Sequence, residues 1–248
     1  MDRLARRASS EDLPGYDHLS VDPSLLALPR LDALPSIPRA LTPGMSPAAG
    51  GVPIGESGEP LVPLDPDSDR VGVVNAYFVT GWAGTSSVVW LRSAVRDRLV
   101  GAAGDLPGGF GLAVYDGWRS MTTVRALYNH FYGPGSTLAP GFLADPDDVD
   151  VVPPHLTGGA LDVTLTWRGA ALSLGTSFDD FTPLAHLRSL ESEEEDPLRS
   201  LRRLLYRTMI DAGFAPFDQE WWHYSWGDQD WAAWTGSAVA HYGATEPH

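Results

Sequence analysis

An α+β domain is the fold class this sequence predicts: a small, mainly antiparallel sheet with helices packed on it, preceded by a proline-rich arm. Three observations predict it. From Val71 onward, short β-branched and aromatic runs alternate with stretches whose apolar residues recur every three or four positions, in the order β, α, β, α, β-hairpin, α, β. The 248 residues are 43% hydrophobic, enough for one good-sized core. And 11 of the 21 prolines fall before residue 71, at spacings that interrupt helices and central strands alike. The expected organisation is an N-terminal extension over residues 1–70 and a folded domain over 71–248.

In chain order, the arm carries Leu25, Leu26, Leu28, Leu31 and Leu34, which are available to pin part of it to the domain surface. Val71 to Phe78 reads as a strand, punctuated afterwards by Gly81 and Gly84. Ser86 to Ala103 reads as a helix, with Val88, Leu91, Val95 and Leu99 on the apolar side and Arg92, Arg96 and Arg98 on the wet side. Phe110 to Tyr115 is a buried strand running into the polar turn Asp116-Gly117-Trp118-Arg119, and a helix follows from Met121 to His130. The loop to Pro154 holds Asp145, Asp147, Asp148 and Asp150 without the spacing of a calcium-binding loop, and reads as solvated. Gly159 to Thr166 alternates, placing Asp162 opposite the apolar face. Trp167 to Ala170 then turns the chain into Ala171–Leu174. After the acidic run Glu191 to Asp196, Asp196-Pro197 opens a helix whose apolar face is Leu198, Leu201, Leu205, Met209 and Ala212, and Gly213 ends it. Glu220 to Trp226 is a last, aromatic strand.

Composition excludes several chemistries. A formal charge of −15, from 17 basic and 32 acidic residues, argues against nucleic acid as a partner. Every basic residue is arginine, so lysine nucleophiles and phosphate-binding lysine loops are absent. With no cysteine there are no disulfides or thiolate ligands, and a metal site must use His, Asp or Glu. No apolar run has the length of a membrane span or follows the basic N-terminus as a secretory signal would, so a cytoplasmic protein without a membrane partner is expected.

One constellation carries chemistry. His155 sits in a turn before Gly158 and Gly159, Asp162 lies on the polar face of the next strand, and Glu220 and His223 stand three residues apart among tryptophans. Two imidazoles and a carboxylate can hold a zinc ion with its fourth position open to water, and a further carboxylate can take that water's proton. Period two puts Glu220 and His223 on opposite faces of a regular strand. Both reach one ion only if Glu220 lies in the preceding turn or a bulge intervenes. The helical His-Glu-x-x-His signature is absent. Trp221, Trp222, Trp226, Trp231 and Trp234 are read as packing residues.

Four motifs then come in order: Tyr115-Asp116-Gly117-Trp118-Arg119, His155-x-x-Gly158-x-Ala160-x-Asp162, Gly175-x-x-Phe178-Asp179 and Glu220-Trp221-Trp222-His223-Tyr224. Together they resemble the motifs of the D-alanyl-D-alanine dipeptidases, a group of zinc peptidases related to D,D-carboxypeptidases. The resemblance spans residues 71 to 230 and leaves the arm uncovered. It implies a zinc site at the sheet made by His155, Asp162 and His223, Glu220 as general base, and Arg119 over the scissile carbonyl. It also implies Asp179 at the substrate's ammonium group, with Asn75 helping to shape the pocket. The expected activity is hydrolysis of an amide in a D-Ala-D-Ala-type dipeptide or small peptide-like substrate. Two alternatives stay open: a relative that tailors a peptide-derived secondary metabolite, and a non-catalytic, zinc-containing binding domain. The sequence departs from the family at Pro153, where serine is usual, and at Ser120, where proline is common.

Overall fold

Six of the chain's β-strands join in one mixed sheet, ordered β2-β4-β5-β8-β7 with β6 added to β5, in a computed structural model. It describes residues 15–38, 51–65, 70–138, 141–148, 150–192 and 197–247. The strands are β1 (Leu61–Pro63), β2 (Val71–Val73), β3 (Trp90–Arg92), β4 (Phe110–Asp116), β5 (Ala160–Trp167), β6 (Ala170–Ala171), β7 (Ala215–Phe217) and β8 (Glu220–Ser225). The helices are α1 (Ala76–Val79), α2 (Ser93–Asp105), α3 (Met121–Phe131), α4 (Pro197–Asp211) and α5 (Gln229–Thr235). The α+β class holds, but the sheet is larger than expected and mixed. Its β2–β4 pair is parallel, while β4–β5, β5–β6, β5–β8 and β7–β8 are antiparallel. A separate two-stranded sheet pairs β1 with β3.

The alternation in β5 sends Leu161, Val163 and Leu165 into the core with Leu112 and Val114 of β4. Helices α2 and α4 pack on each other and on this sheet. Gly213 ends α4 with φ +88, and the Gly213 and Phe214 amides return to the carbonyls of Ile210 and Met209. Asp196, read as the cap of α4, lies outside the described residues.

Several expectations are corrected. The strand predicted through Phe78 stops at Val73, because Asn75 takes a left-handed conformation (φ +52) and the chain turns into α1. The helix predicted from Ser86 begins at Ser93, since Trp90–Arg92 pairs with β1 and Glu59 then accepts from Ser93 Oγ and Ala94 N–H, both at 3.1 Å. A carboxylate at this helix start offsets the unpaired amides there. Arg92, placed on the wet side, is buried. Strand β7 and helix α5 lie where no element was expected; Pro216 is tolerated because β7 is an edge strand.

Contacts cross the expected border at residue 70. Ile37 and Leu64 belong to the core, β1 pairs with β3, and Trp82 Nε1 donates to the Tyr16 hydroxyl at 2.9 Å. Val21 bridges to Leu172 and Ile54 to Ala240. Among the leucines expected to pin the arm, Leu26, Leu28, Leu31 and Leu34 pack against the core, whereas Leu25 is exposed. Among the described residues no helix is long and apolar enough to cross a membrane.

Candidate active site

Two irregularities in the sheet build the site. Between Val114 and Asp116 the β4–β5 register shifts, so Asp116 comes opposite Asp162 rather than falling out of step with it. Between Pro216 and Phe217 the β7–β8 register shifts as well, pairing Phe217 with Glu220 although Pro216 pairs with Tyr224. Period two is broken there. Glu220 Oε2 lies 3.9 Å from His223 Nδ1, which is the bulge alternative the sequence left open.

His155 reaches the same point from a short 3-10 turn, Pro154–Thr157, closed by Gly158 at φ +71. Its Nδ1 lies 2.8 Å from the Gly117 carbonyl, which can only accept, so Nδ1 carries the proton and the Nε2 lone pair faces inward. That Nε2 is 3.2 Å from His223 Nδ1 and 3.4 Å from Asp162 Oδ1, and the last two atoms are 3.1 Å apart. Three donor atoms thus form a nearly equilateral triangle. All three residues are buried, and they form a group of the kind that can hold a metal ion.

Around the triangle, Arg119 NH2 lies 3.4 Å from Asp162 Oδ2, and its Nε donates to Asp116 Oδ2 at 2.8 Å. The guanidinium stacks 4.7 Å from the Tyr77 ring centre and lies 3.3 Å from the Tyr77 hydroxyl. Tyr77 in turn donates to Asp179, whose oxygens lie 3.1 and 2.9 Å away. Asp179 is held at φ +56, a conformation uncommon for a residue with a side chain. Burial, then the charges of Asp162 and Asp179, push Glu220 well above the ordinary carboxylate range. Burial would also raise Asp162, but the two imidazoles beside it, His155 first and then His223, hold it well below that range. Burial pushes Asp179 up to about 7, with Arg119 acting against it and Asp162 adding to it. For Arg119, burial works against the charge, but Tyr77, Asp116, Asp162 and Asp179 outweigh it and raise the group further.

The site opens on a cavity of about 940 Å³, walled by Tyr77, Phe142, Leu143, Pro153, Phe217 and Gln219 among others. Pro153 presents apolar surface beside His155. Ser120 caps α3, its hydroxyl accepting from Thr123 N–H at 3.2 Å, which accounts for a polar residue at that position. Trp221 and Trp222 are buried in the core rather than on the cavity wall. Asn75 stands apart from the cavity: its amide donates to the Ser86 carbonyl at 3.0 Å, and its left-handed backbone starts the turn that delivers Tyr77. Sequence reasoning assigned no role to Tyr77 or Asp116. Asp116 had a signal, three residues before Arg119 in a polar turn, whereas Tyr77 lay in a run that reads as an ordinary strand.

A mixed sheet presenting two imidazoles and a carboxylate beside a buried glutamate and a guanidinium defines a metallohydrolase class of site. The profile of the M15 peptidase family described as D-ala-D-ala dipeptidase matches residues 99–240. The chain belongs to that family, and it is a metallopeptidase. It is 28% identical over 216 residues to the D-alanyl-D-alanine dipeptidase of Synechocystis sp., covering 73% of this chain and 87% of the relative. The D-alanyl-D-alanine dipeptidase of Streptomyces coelicolor is 28% identical over 165 residues, covering 61% and 77% of the two chains. Among solved structures, a vancomycin-resistance D,D-dipeptidase, VanXYg, in complex with a D-Ala-D-Ala phosphinate analog aligns with a TM-score of 0.40 at 15% identity, over 75% of this chain and 67% of that one.

Proposed function

We propose that the chain is a zinc-dependent hydrolase of the amide bond in D-Ala-D-Ala-type dipeptides, the substrate named for its curated relatives. The observation that carries this reading is the spacing of the donor triangle. Zinc bonds of about 2.0–2.1 Å in tetrahedral geometry place neighbouring ligand atoms about 3.3–3.4 Å apart. The three separations here are 3.1, 3.2 and 3.4 Å. Charge supports the same reading: the four carboxylates Asp116, Asp162, Asp179 and Glu220 face a single guanidinium, Arg119, an acidic excess that a dication would offset in large part.

His155, Asp162 and His223 would hold the ion, which when bound would supply Lewis acidity and a water made nucleophilic near neutral pH. Glu220 lies beside the triangle rather than at one of its corners, which suits a general base better than a ligand. With its carboxyl shifted up from the ordinary range, it takes the nucleophile's proton and passes it to the nitrogen as the C–N bond breaks. Arg119, fixed by Asp116 and Tyr77, faces the oxygen that gains negative charge during attack. Asp179 supplies the counter-charge for the substrate's ammonium, and Tyr77 orients both groups.

A second reading is favoured by the cavity. At the roughly 30 Å³ that one water claims in the liquid, a generous share per heavy atom, a dipeptide of two alanines needs at most about 330 Å³. The cavity holds about 940 Å³. With Pro153 in place of a hydroxyl donor, this suits a larger peptide-like amide, as in a tailoring enzyme. Metal analysis beside a screen of LL, DL, LD and DD dipeptides, read by amine release, tests both. Zinc with D-Ala-D-Ala cleavage is expected. Zinc without cleavage of any dipeptide would move the assignment to the larger substrate, and absence of metal would remove its basis.

A further inference from the structure

His155 and His223 present different nitrogens to the triangle, Nε2 and Nδ1. The Gly117 carbonyl fixes the first. For the second, the group behind the ring is Ser225, two residues along β8 and so on the same face, with Oγ 3.5 Å from His223 Nε2. A hydroxyl can donate or accept, so Ser225 alone does not decide which ring nitrogen is protonated.

Asp228 decides it. This carboxylate is only 1% exposed, and its Oδ1 accepts from Trp231 N–H at 2.9 Å, capping α5. Its Oδ2 is shut off from solvent with no partner at normal hydrogen-bonding geometry. A buried carboxylate oxygen left in that state calls for an explanation beyond helix capping, which uses only the other oxygen. Burial raises this carboxyl, and the Trp231 amide and the Ser225 hydroxyl, the side-chain donor beside it, act against that rise. In its ionised form this carboxylate only accepts, so Ser225 then gives its proton toward Asp228 and turns a lone pair to the imidazole. His223 Nε2 must then carry the ring proton, leaving the Nδ1 lone pair for the triangle.

We propose that Asp228, acting through Ser225, is a positioning residue that fixes His223 in the tautomer whose Nδ1 can bind the metal. The inference rests on the zinc reading above. Groups behind a metal-binding histidine tune affinity by about 10- to 100-fold, so the effect is readable in the metal equilibrium without any substrate.

The experiment measures zinc affinity of the full chain by competition against a chelator of known strength, for wild type, Asp228→Asn, Ser225→Ala and Ser225→Thr. Asparagine caps helices as well as aspartate, so Asp228→Asn keeps the start of α5 while removing the charge. The expected result is a 10- to 100-fold weaker zinc complex in Asp228→Asn and Ser225→Ala, and affinity restored to within about threefold in Ser225→Thr. Nitrogen-15 spectra of the histidines should show His223 protonated at Nε2 in wild type and mixed tautomers in Ser225→Ala. Unchanged affinity in both Asp228→Asn and Ser225→Ala would overturn the proposal while leaving the zinc site intact. If Asp228→Asn does not fold, the Ala and Thr variants at Ser225 decide alone. A wild-type protein that binds no zinc would overturn the underlying reading and this inference with it.

Discussion

Replacing Arg92 by alanine should destabilise the protein by about 3 to 5 kcal/mol, because a single buried guanidinium joins four segments. Nε donates to the Thr157 carbonyl at 2.8 Å and NH1 to the Glu59 carbonyl. NH2 donates to the Gly243 carbonyl at 3.2 Å, and both terminal nitrogens reach Glu56, at 3.1 Å each. The plane also stacks 4.9 Å from the Tyr242 ring centre. Alanine leaves three carbonyls without donors, at about 1 to 3 kcal/mol each where water cannot replace them. The Glu56 side chain is 42% exposed, so its ion pair counts as a surface pair worth under about 1 kcal/mol, and water entering along it holds the sum near the low end. Urea unfolding followed by circular dichroism measures the effect. With a slope of about 2 to 3 kcal/mol per molar, the midpoint should fall by about 1 to 2.5 M. Glu56→Gln should cost under about 1 kcal/mol. A loss below about 1 kcal/mol in Arg92→Ala, or an equal loss in the two variants, would refute the clasp.

Deleting residues 1–60 should leave an unstable or insoluble protein, because it removes Ile37 from the core and the Glu59 and Glu56 partners of α2 and Arg92; a soluble truncated chain with native circular dichroism would restore the independent arm. Glu220→Gln should keep bound zinc and lower turnover by roughly 10²- to 10⁴-fold, and unchanged turnover would assign the base elsewhere. Asp179, pushed up to about 7, is neutral below that pH and charged above it, whereas an α-ammonium group stays protonated to about 8. KM for a dipeptide should therefore fall as pH rises through about 7, and this slope should vanish in Asp179→Asn. A pH-independent KM in the wild type would place the ammonium elsewhere.

That His155, Asp162 and His223 come together, with Glu220 and Arg119 beside them, was legible because each sits in a short motif where glycine, strand alternation or a turn announces its direction. Whether Glu220 and His223 could share a site was not legible, because it depends on a register slip against β7, an edge strand too short and proline-bearing to read. Arg92 misled for a related reason. Helical spacing set it on a wet face, but pairing with Leu61–Pro63 converted its segment to strand and turned it inward. That pairing joins residues about thirty apart, through a segment whose prolines read as non-structural. Tyr77 was missed because the left-handed turn at Asn75 has no glycine to mark it. Local chemistry survived in the sequence; the contacts that orient it are long-range.

The most direct test of the central claim is zinc stoichiometry, measured by elemental analysis on purified wild type, His155→Ala and His223→Ala at neutral pH. One zinc per wild-type chain, lost from both variants while their folded circular dichroism is retained, is the predicted result. Full zinc occupancy in either variant, or a wild-type chain without zinc, would contradict the account.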